Sequence, residues 1–184
     1  MKTEQITLVL GGARSGKSSF AQSLAEALPE AETRDLIYIA TAEAFDAEMT
    51  DRIARHRCDR GARWRTVECP LDLADAIAAH QEAGTTILVD CLTLWLSNLM
   101  LGEHDIATAI AELVARLKKS SAKVILVSNE VGQGIVPDNA LARRFRDEAG
   151  WLNQAIARAA DDVWFVTAGI PQLLRGASQH YAEK

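Results

Sequence analysis

Eight consecutive residues, GGARSGKS, hold the densest run of chemistry-bearing types in the chain. They satisfy the spacing G-x-x-x-x-G-K-[ST]: Gly11, Gly16, Lys17 and Ser18 take the specified places, with Gly12, Ala13, Arg14 and Ser15 among them. Glycines there let backbone N–H groups turn inward around phosphate oxygens, a lysine reaches the β- and γ-phosphates, and the serine hydroxyl ligates Mg²⁺. A second group is Asp90, which closes the apolar run TTILVD. An apolar strand ending in aspartate has the Walker B form, whose carboxylate holds the same metal. The third group is His56, set among Arg52, Arg55, Arg57, Arg60, Arg63 and Arg65. Guanidinium groups bind phosphate in bidentate fashion, and neutral imidazole is a competent nucleophile toward phosphorus. Only Asp51 and Asp59 lie nearby as acids, so an anion is the natural complement of this cluster. The bland alternative is a solvated helix end followed by a basic loop.

These groups need elements to position them. ITLVL, residues 6–10, reads as a buried strand before the glycine loop, and residues 18–28 read as a helix after it, which is the order a phosphate loop requires. LIYIATA, residues 36–42, is a second apolar strand. Residues 43–56 read as a helix, because Phe45, Met49 and Ile53 recur at helical spacing. WRTVECP gives a third strand stopped by Pro70, residues 71–83 a helix ended by Gly84, and residues 85–90 a fourth strand. An apolar helix carrying Leu94, Trp95 and Asn98 comes next, then an amphipathic helix over 105–119. AKVILVSNEVG supplies a fifth strand broken by GQGIVP, residues 140–160 a long helix, and DDVWFVTAGIP a last strand ending before Pro171. Residues 172–184 show no period and are expected to be partly disordered. Strands separated by helices of this length predict an α/β domain over residues 1–171, with a mostly parallel sheet covered on both faces. Ligands of such sheets bind beyond the carboxyl ends of the strands. The phosphate loop, Thr41, Asp90, Ser128, Asn129 and Glu130 all fall there.

Composition narrows the class. A chain of 184 residues suits one domain, and 48% hydrophobic with 24% charged residues is ordinary for a globular protein. The apolar runs are shorter than the ~18 residues a membrane span needs. The opening MKTEQ leads straight into the first strand and leaves no room for a signal peptide, so a cytoplasmic location is expected. Cys58, Cys69 and Cys91 form no C-x-x-C pair and are odd in number, which points to neither a disulfide framework nor a zinc site. A net charge of −5 argues against a general nucleic-acid binder. The phosphate loop by itself is also compatible with a single-function small-molecule kinase or a RecA-like ATPase module.

Taken together, GGARSGKS, YIATA, EMTDRIARHR, WRTVE, VDCLTLWLSNL and SNEVGQGIVPDNALARRFRDEAGWLNQAIA resemble the adenosylcobinamide kinase/adenosylcobinamide-phosphate guanylyltransferase family of cobalamin biosynthesis. The likeness runs over about residues 6–169. It implies two steps on one protein: phosphorylation of the aminopropanol hydroxyl of adenosylcobinamide by ATP or GTP, then transfer of GMP from GTP onto that phosphate. The GMP carrier of the family is a histidine, matched here by His56. The resemblance also assigns nucleotide contacts to Gly11 through Ser18, to Ala40, Thr41 and Ala42, to Arg57, Cys58, Asp59 and Arg60, to Glu68 and to Asp90. Gly61 stands where similar members often place proline. A RecA-like sheet and a homotrimer are further implications.

Overall fold

The computed structural model describes residues 5–27, 34–42 and 63–176. The helix expected over 43–56, and with it His56, lies outside these residues, as do Arg57, Cys58, Asp59, Arg60 and the chain after 176. Strands and helices alternate as β1 (Ile6–Gly11), α1 (Lys17–Glu26), β2 (Asp35–Ala40), β3 (Trp64–Glu68), α2 (Leu73–Ala78) and β4 (Thr85–Asp90), followed by α3 (Leu92–Leu101), α4 (Ile106–Leu117), β5 (Lys123–Asn129), α5 (Ala140–Ala159), β6 (Asp162–Thr167) and β7 (Ile170–Arg175).

The sheet has the order β3-β2-β4-β5-β1-β6-β7. Strands β1 to β6 run parallel and β7 is antiparallel to β6. A single strand, β5, separates the phosphate-loop strand β1 from the Asp90 strand β4, which is the RecA-like arrangement. Neighbouring residues of each central strand feed opposite faces, as the two-residue period of a strand requires. Leu8, Ile37, Ile39, Ile87, Val89, Val124 and Leu126 join one core with residues of α2, α3, α4 and α5. Val9, Tyr38, Leu88, Ile125, Val127 and Val166 join the other with Phe20, Ala21 and Ala25 of α1. Burial on both faces explains why these strands read as continuous apolar runs. Helix α3, apolar nearly all round, is correspondingly buried, with Leu92, Trp95 and Leu96 inside. No helix among the described residues is long and apolar enough to cross a membrane.

Two sequence expectations need correction. The helix read over 71–83 covers only Leu73–Ala78. His80 N–H closes on Ile77 O at 3.1 Å and Thr85 N–H on Glu82 O at 3.2 Å, so tight turns carry the chain from the helix layer to β4. At the other end, DDVWFVTAGIP is not one strand. The strand stops at Thr167, the chain reverses through Ala168 (φ 50) and Gly169 (φ 81), and β7 returns along β6. Positive φ at both central residues is the mark of a hairpin turn whose twist suits its strands. Pro171 is accommodated because β7 is an edge strand, where a missing N–H costs no ladder bond to a further neighbour. Residues 172–175, read as aperiodic, are therefore strand.

Candidate nucleotide site

Strand β1 ends at Gly11, whose register partners are Asn129 of β5 and Val166 of β6. Only glycine fits here: a Cβ would stand 2.5 Å from Ser15 Oγ and 2.6 Å from the Val166 carbonyl. The chain then curls back. Ser15 N–H donates to Gly12 O at 3.3 Å, Arg14 takes φ 55 and Gly16 φ 92, and α1 begins at Lys17. The start of α1 has no side-chain cap and no acidic residue in its first turn. Its first N–H groups and the positive end of the helix dipole thus face whatever lies above the loop, an arrangement suited to an anion. The Lys17 side chain is only 8% exposed, and its Nζ donates to Gly12 O at 3.1 Å across the mouth of the loop. That bond fixes the position of the ammonium within the loop.

Asp90 ends β4 at the same edge of the sheet. Its register partner is Ala40, which is in turn paired with Glu68, so two carboxylates flank one small residue in a single row. Tyr38 donates its hydroxyl to Asp90 Oδ2 at 3.0 Å. Thr41 is buried, and its hydroxyl donates to Cys91 O at 2.7 Å and accepts from Cys91 N–H at 2.9 Å. That hydroxyl thereby ties the end of β2 to the end of β4. Asn98, from α3, donates to Thr41 O at 2.8 Å and to Pro70 O at 3.0 Å, and Cys69 N–H donates to Ala40 O at 2.8 Å. Glu68 closes β3 beside Ala40, and Ala42 follows two residues after the end of β2. Burial pushes the Cys91 thiol up, with the Asp90 charge adding to it; burial and then Asp72 do the same for Cys69. Both thiols stay protonated and unreactive.

The edge between β4 and β5 has its own support. Thr93 Oγ1 accepts from Asn129 N–H and Nδ2, each at 2.9 Å, and Asn153 of α5 donates to Asn129 O at 3.2 Å. Glu130 N–H donates to Gly11 O at 3.0 Å, joining the loop after β5 to the phosphate loop. Ser128, grouped with the site in the sequence, is placed otherwise: its hydroxyl lies buried under α5 and donates to Asn153 Oδ1 at 2.7 Å. Tyr38, Asn98, Thr93 and Asn153 are supporting residues that the sequence patterns did not assign. Asn98 in an apolar helix, and Asn153 within the buried stripe of α5, are polar interruptions that could have signalled a role. Nothing in the sequence marks Tyr38.

The family model described as cobinamide kinase / cobinamide phosphate guanyltransferase matches residues 7–174. The bifunctional adenosylcobalamin biosynthesis protein CobP of Pseudomonas aeruginosa is 50% identical over 177 residues, covering 92% of this chain and 96% of that protein. The bifunctional adenosylcobalamin biosynthesis protein CobU of Salmonella typhimurium is 44% identical over 178 residues, covering 89% and 96%. Among solved structures, an ATPase domain aligns at 14% identity with a TM-score of 0.47, over 90% of this chain and 70% of that one. With the family model matching nearly the whole chain and relatives this similar along 96% of their length, the chain belongs to the cobinamide kinase / cobinamide phosphate guanyltransferase family.

Proposed function

We propose that this protein phosphorylates adenosylcobinamide with ATP or GTP and then transfers GMP from GTP to the product, giving adenosylcobinamide-GDP, through a GMP-histidine intermediate on His56. The observation that carries the reading is a phosphate loop with its lysine already seated, in a chain matched by the family model over residues 7–174. In the first step the acceptor hydroxyl attacks the γ-phosphorus, the bond to the leaving nucleoside diphosphate breaks, and the hydroxyl proton departs. The loop amides from Gly11 to Ser18 and the Lys17 ammonium stabilise the charge on the transferred group. In the second step an imidazole nitrogen of His56 attacks the α-phosphorus of GTP and pyrophosphate leaves. An oxygen of cobinamide phosphate then attacks the same phosphorus, and the P–N bond breaks. Arg57, Cys58, Asp59 and Arg60 are assigned to the nucleotide, together with Ala40, Thr41, Ala42 and Glu68.

Mg²⁺ is assigned to Ser18 and Asp90. The donor set fits: Ser18 Oγ and Asp90 Oδ1 have no hydrogen-bond partner among the described residues, while Tyr38 holds Asp90 Oδ2. Ser18 and Asp90 would supply the protein's share of the ligands, and nucleotide phosphate oxygens and water would supply the others, as is usual for Mg²⁺. When bound, the ion neutralises charge between the β- and γ-phosphates. The assembly we infer is a cytoplasmic homotrimer; exposed Ile135, Trp151 and Ile170 supply apolar surface for subunit contact, and sedimentation would give the mass of the assembly.

The deciding experiment is intact mass after incubation with GTP and Mg²⁺. Wild type should gain one GMP, with the acid lability of a P–N bond. His56→Ala should lose the gain and lose guanylylation of cobinamide phosphate, while keeping a substantial part of the cobinamide phosphorylation. No GMP gain in wild type would leave a single-function kinase; a gain that survives His56→Ala would assign the carrier elsewhere.

A further inference from the structure

The phosphate loop holds two left-handed residues around Ser15, Arg14 at φ 55 and Gly16 at φ 92. For arginine this is an unfavourable backbone conformation, and such conformations persist only where the surroundings over-determine them. The constraint comes from the far end of the chain. Gly169, in the turn between β6 and β7, donates its N–H to the Ser15 carbonyl at 2.8 Å. The N–H of Ser15 is held too, by Gly12 O at 3.3 Å. Contact between the two turns is close: a Cβ on Gly16 would stand 3.2 Å from Gly169 Cα. The Val166 carbonyl of β6 presses on the base of the loop in the same way, 2.6 Å from where a Cβ of Gly11 would be.

A trans peptide places its N–H opposite its C=O. With the Ser15 carbonyl turned toward the hairpin, the N–H of Gly16 points away from it, toward the side of the loop that receives phosphate. We propose that the β6–β7 turn braces the phosphate loop, with Gly169 as a positioning residue that presets the Gly16 N–H for nucleotide. Nucleotide binding and hairpin order are then coupled, each strengthening the other. The inference rests on the assignment of Gly11 to Ser18 as the nucleotide site.

The coupling is read with α,β-methylene GTP and Mg²⁺ on the full chain. At position 169 a Cβ would meet nothing within 4 Å, so a side chain there acts through φ 81 and not through a clash. Gly169→Val places a β-branched residue at positive φ, whereas Gly169→Asn keeps a type that tolerates it. Gly169→Val should raise the Kd for the analogue about tenfold, inside the roughly 5–150-fold span usual for coupled sites, and Gly169→Asn should restore binding. By reciprocity the analogue should slow hydrogen exchange of the Gly169 and β7 amides in wild type about tenfold. If Gly169→Val lowers thermal stability and leaves the Kd unchanged, the turn is only structural and the brace is refuted. Should Gly169→Val not fold, exchange in wild type decides: protection of these amides supports the brace and unchanged rates overturn it. Lys17→Ala separates the two readings. If it binds the analogue as tightly as wild type, the loop is not the nucleotide site and both fall; if it alone loses binding, only the brace fails.

Discussion

Two loops leave adjacent strands at the same edge of the sheet and are built on different principles. The phosphate loop after β1 is closed on itself and on its neighbours: Ser15 is bonded through both its N–H and its carbonyl, Lys17 reaches back to Gly12, and a Cβ on Gly11 would collide. The loop after β5 touches it through Glu130 N–H and then opens outward, with Ile135 98% exposed and Val136 62% exposed. Its bonds gather at its two ends: Gly132 N–H donates to Glu130 Oε1 at 2.6 Å, while at the far end Arg143 donates to Pro137 O and Asp138 O at 2.9 and 2.7 Å and Asn139 caps α5. Phosphate is small, highly charged and the same in every nucleotide, so a preformed cradle loses nothing by being rigid. The loop beside it instead carries its apolar side chains, Ile135 and Val136, on the surface.

The largest effect that sharpens this contrast is chemical. Lys17→Ala should cut cobinamide phosphorylation by about 10²–10³-fold or more, the usual consequence of removing a preorganised group from a developing charge. A steady-state assay beside a melting curve would show activity lost with the fold intact; full activity would remove the loop from the mechanism. Next comes packing. Gly11→Ala drives a methyl into the Val166 backbone and should cost about 1–3 kcal/mol in denaturant unfolding. Gly134→Ala in the open loop, where a Cβ meets nothing within 4 Å, should stay within about 0.5 kcal/mol. Equal costs at the two positions would erase the distinction between the loops.

Smaller again is the cap of α5. Asn139 Oδ1 accepts from Ala142 N–H at 2.8 Å, so Asn139→Ala should cost about 1 kcal/mol while nucleotide affinity holds. A parallel loss of affinity would show that the loops are not independent. The smallest effect lies outside both. His80 is held below its ordinary value of 6.5 by partial burial and by the Arg65 guanidinium, whose Nη2 lies 3.2 Å from its Nδ1. A base with a depressed folded pKa takes up its proton more readily when unfolded. Its favourable contribution is therefore present above pH 6.5 and lost as pH falls through the folded value. His80→Gln should flatten the stability profile slightly in that window, as measured by melting temperature against pH.

Local patterns were enough for much of this molecule. The spacing of GGARSGKS announces a tight turn between a strand and a helix, and β1, the left-handed Arg14 and Gly16, and α1 follow that order. The unbroken apolar runs of β1, β2, β4 and β5 announce strands buried on both faces. The short α2 was less legible, since its end is set by turns that must reach β4 and not by Gly84. Tertiary closure decided the rest. That the Thr41 hydroxyl bonds the Cys91 backbone, which oxygen of Asp90 Tyr38 holds, that Ser128 turns under α5, and that Gly169 N–H bonds Ser15 O are all decided by partners on other strands and helices. Each is a hydrogen bond whose two ends meet only when the sheet assembles, and the periodicity of a single segment carries no trace of its distant partner.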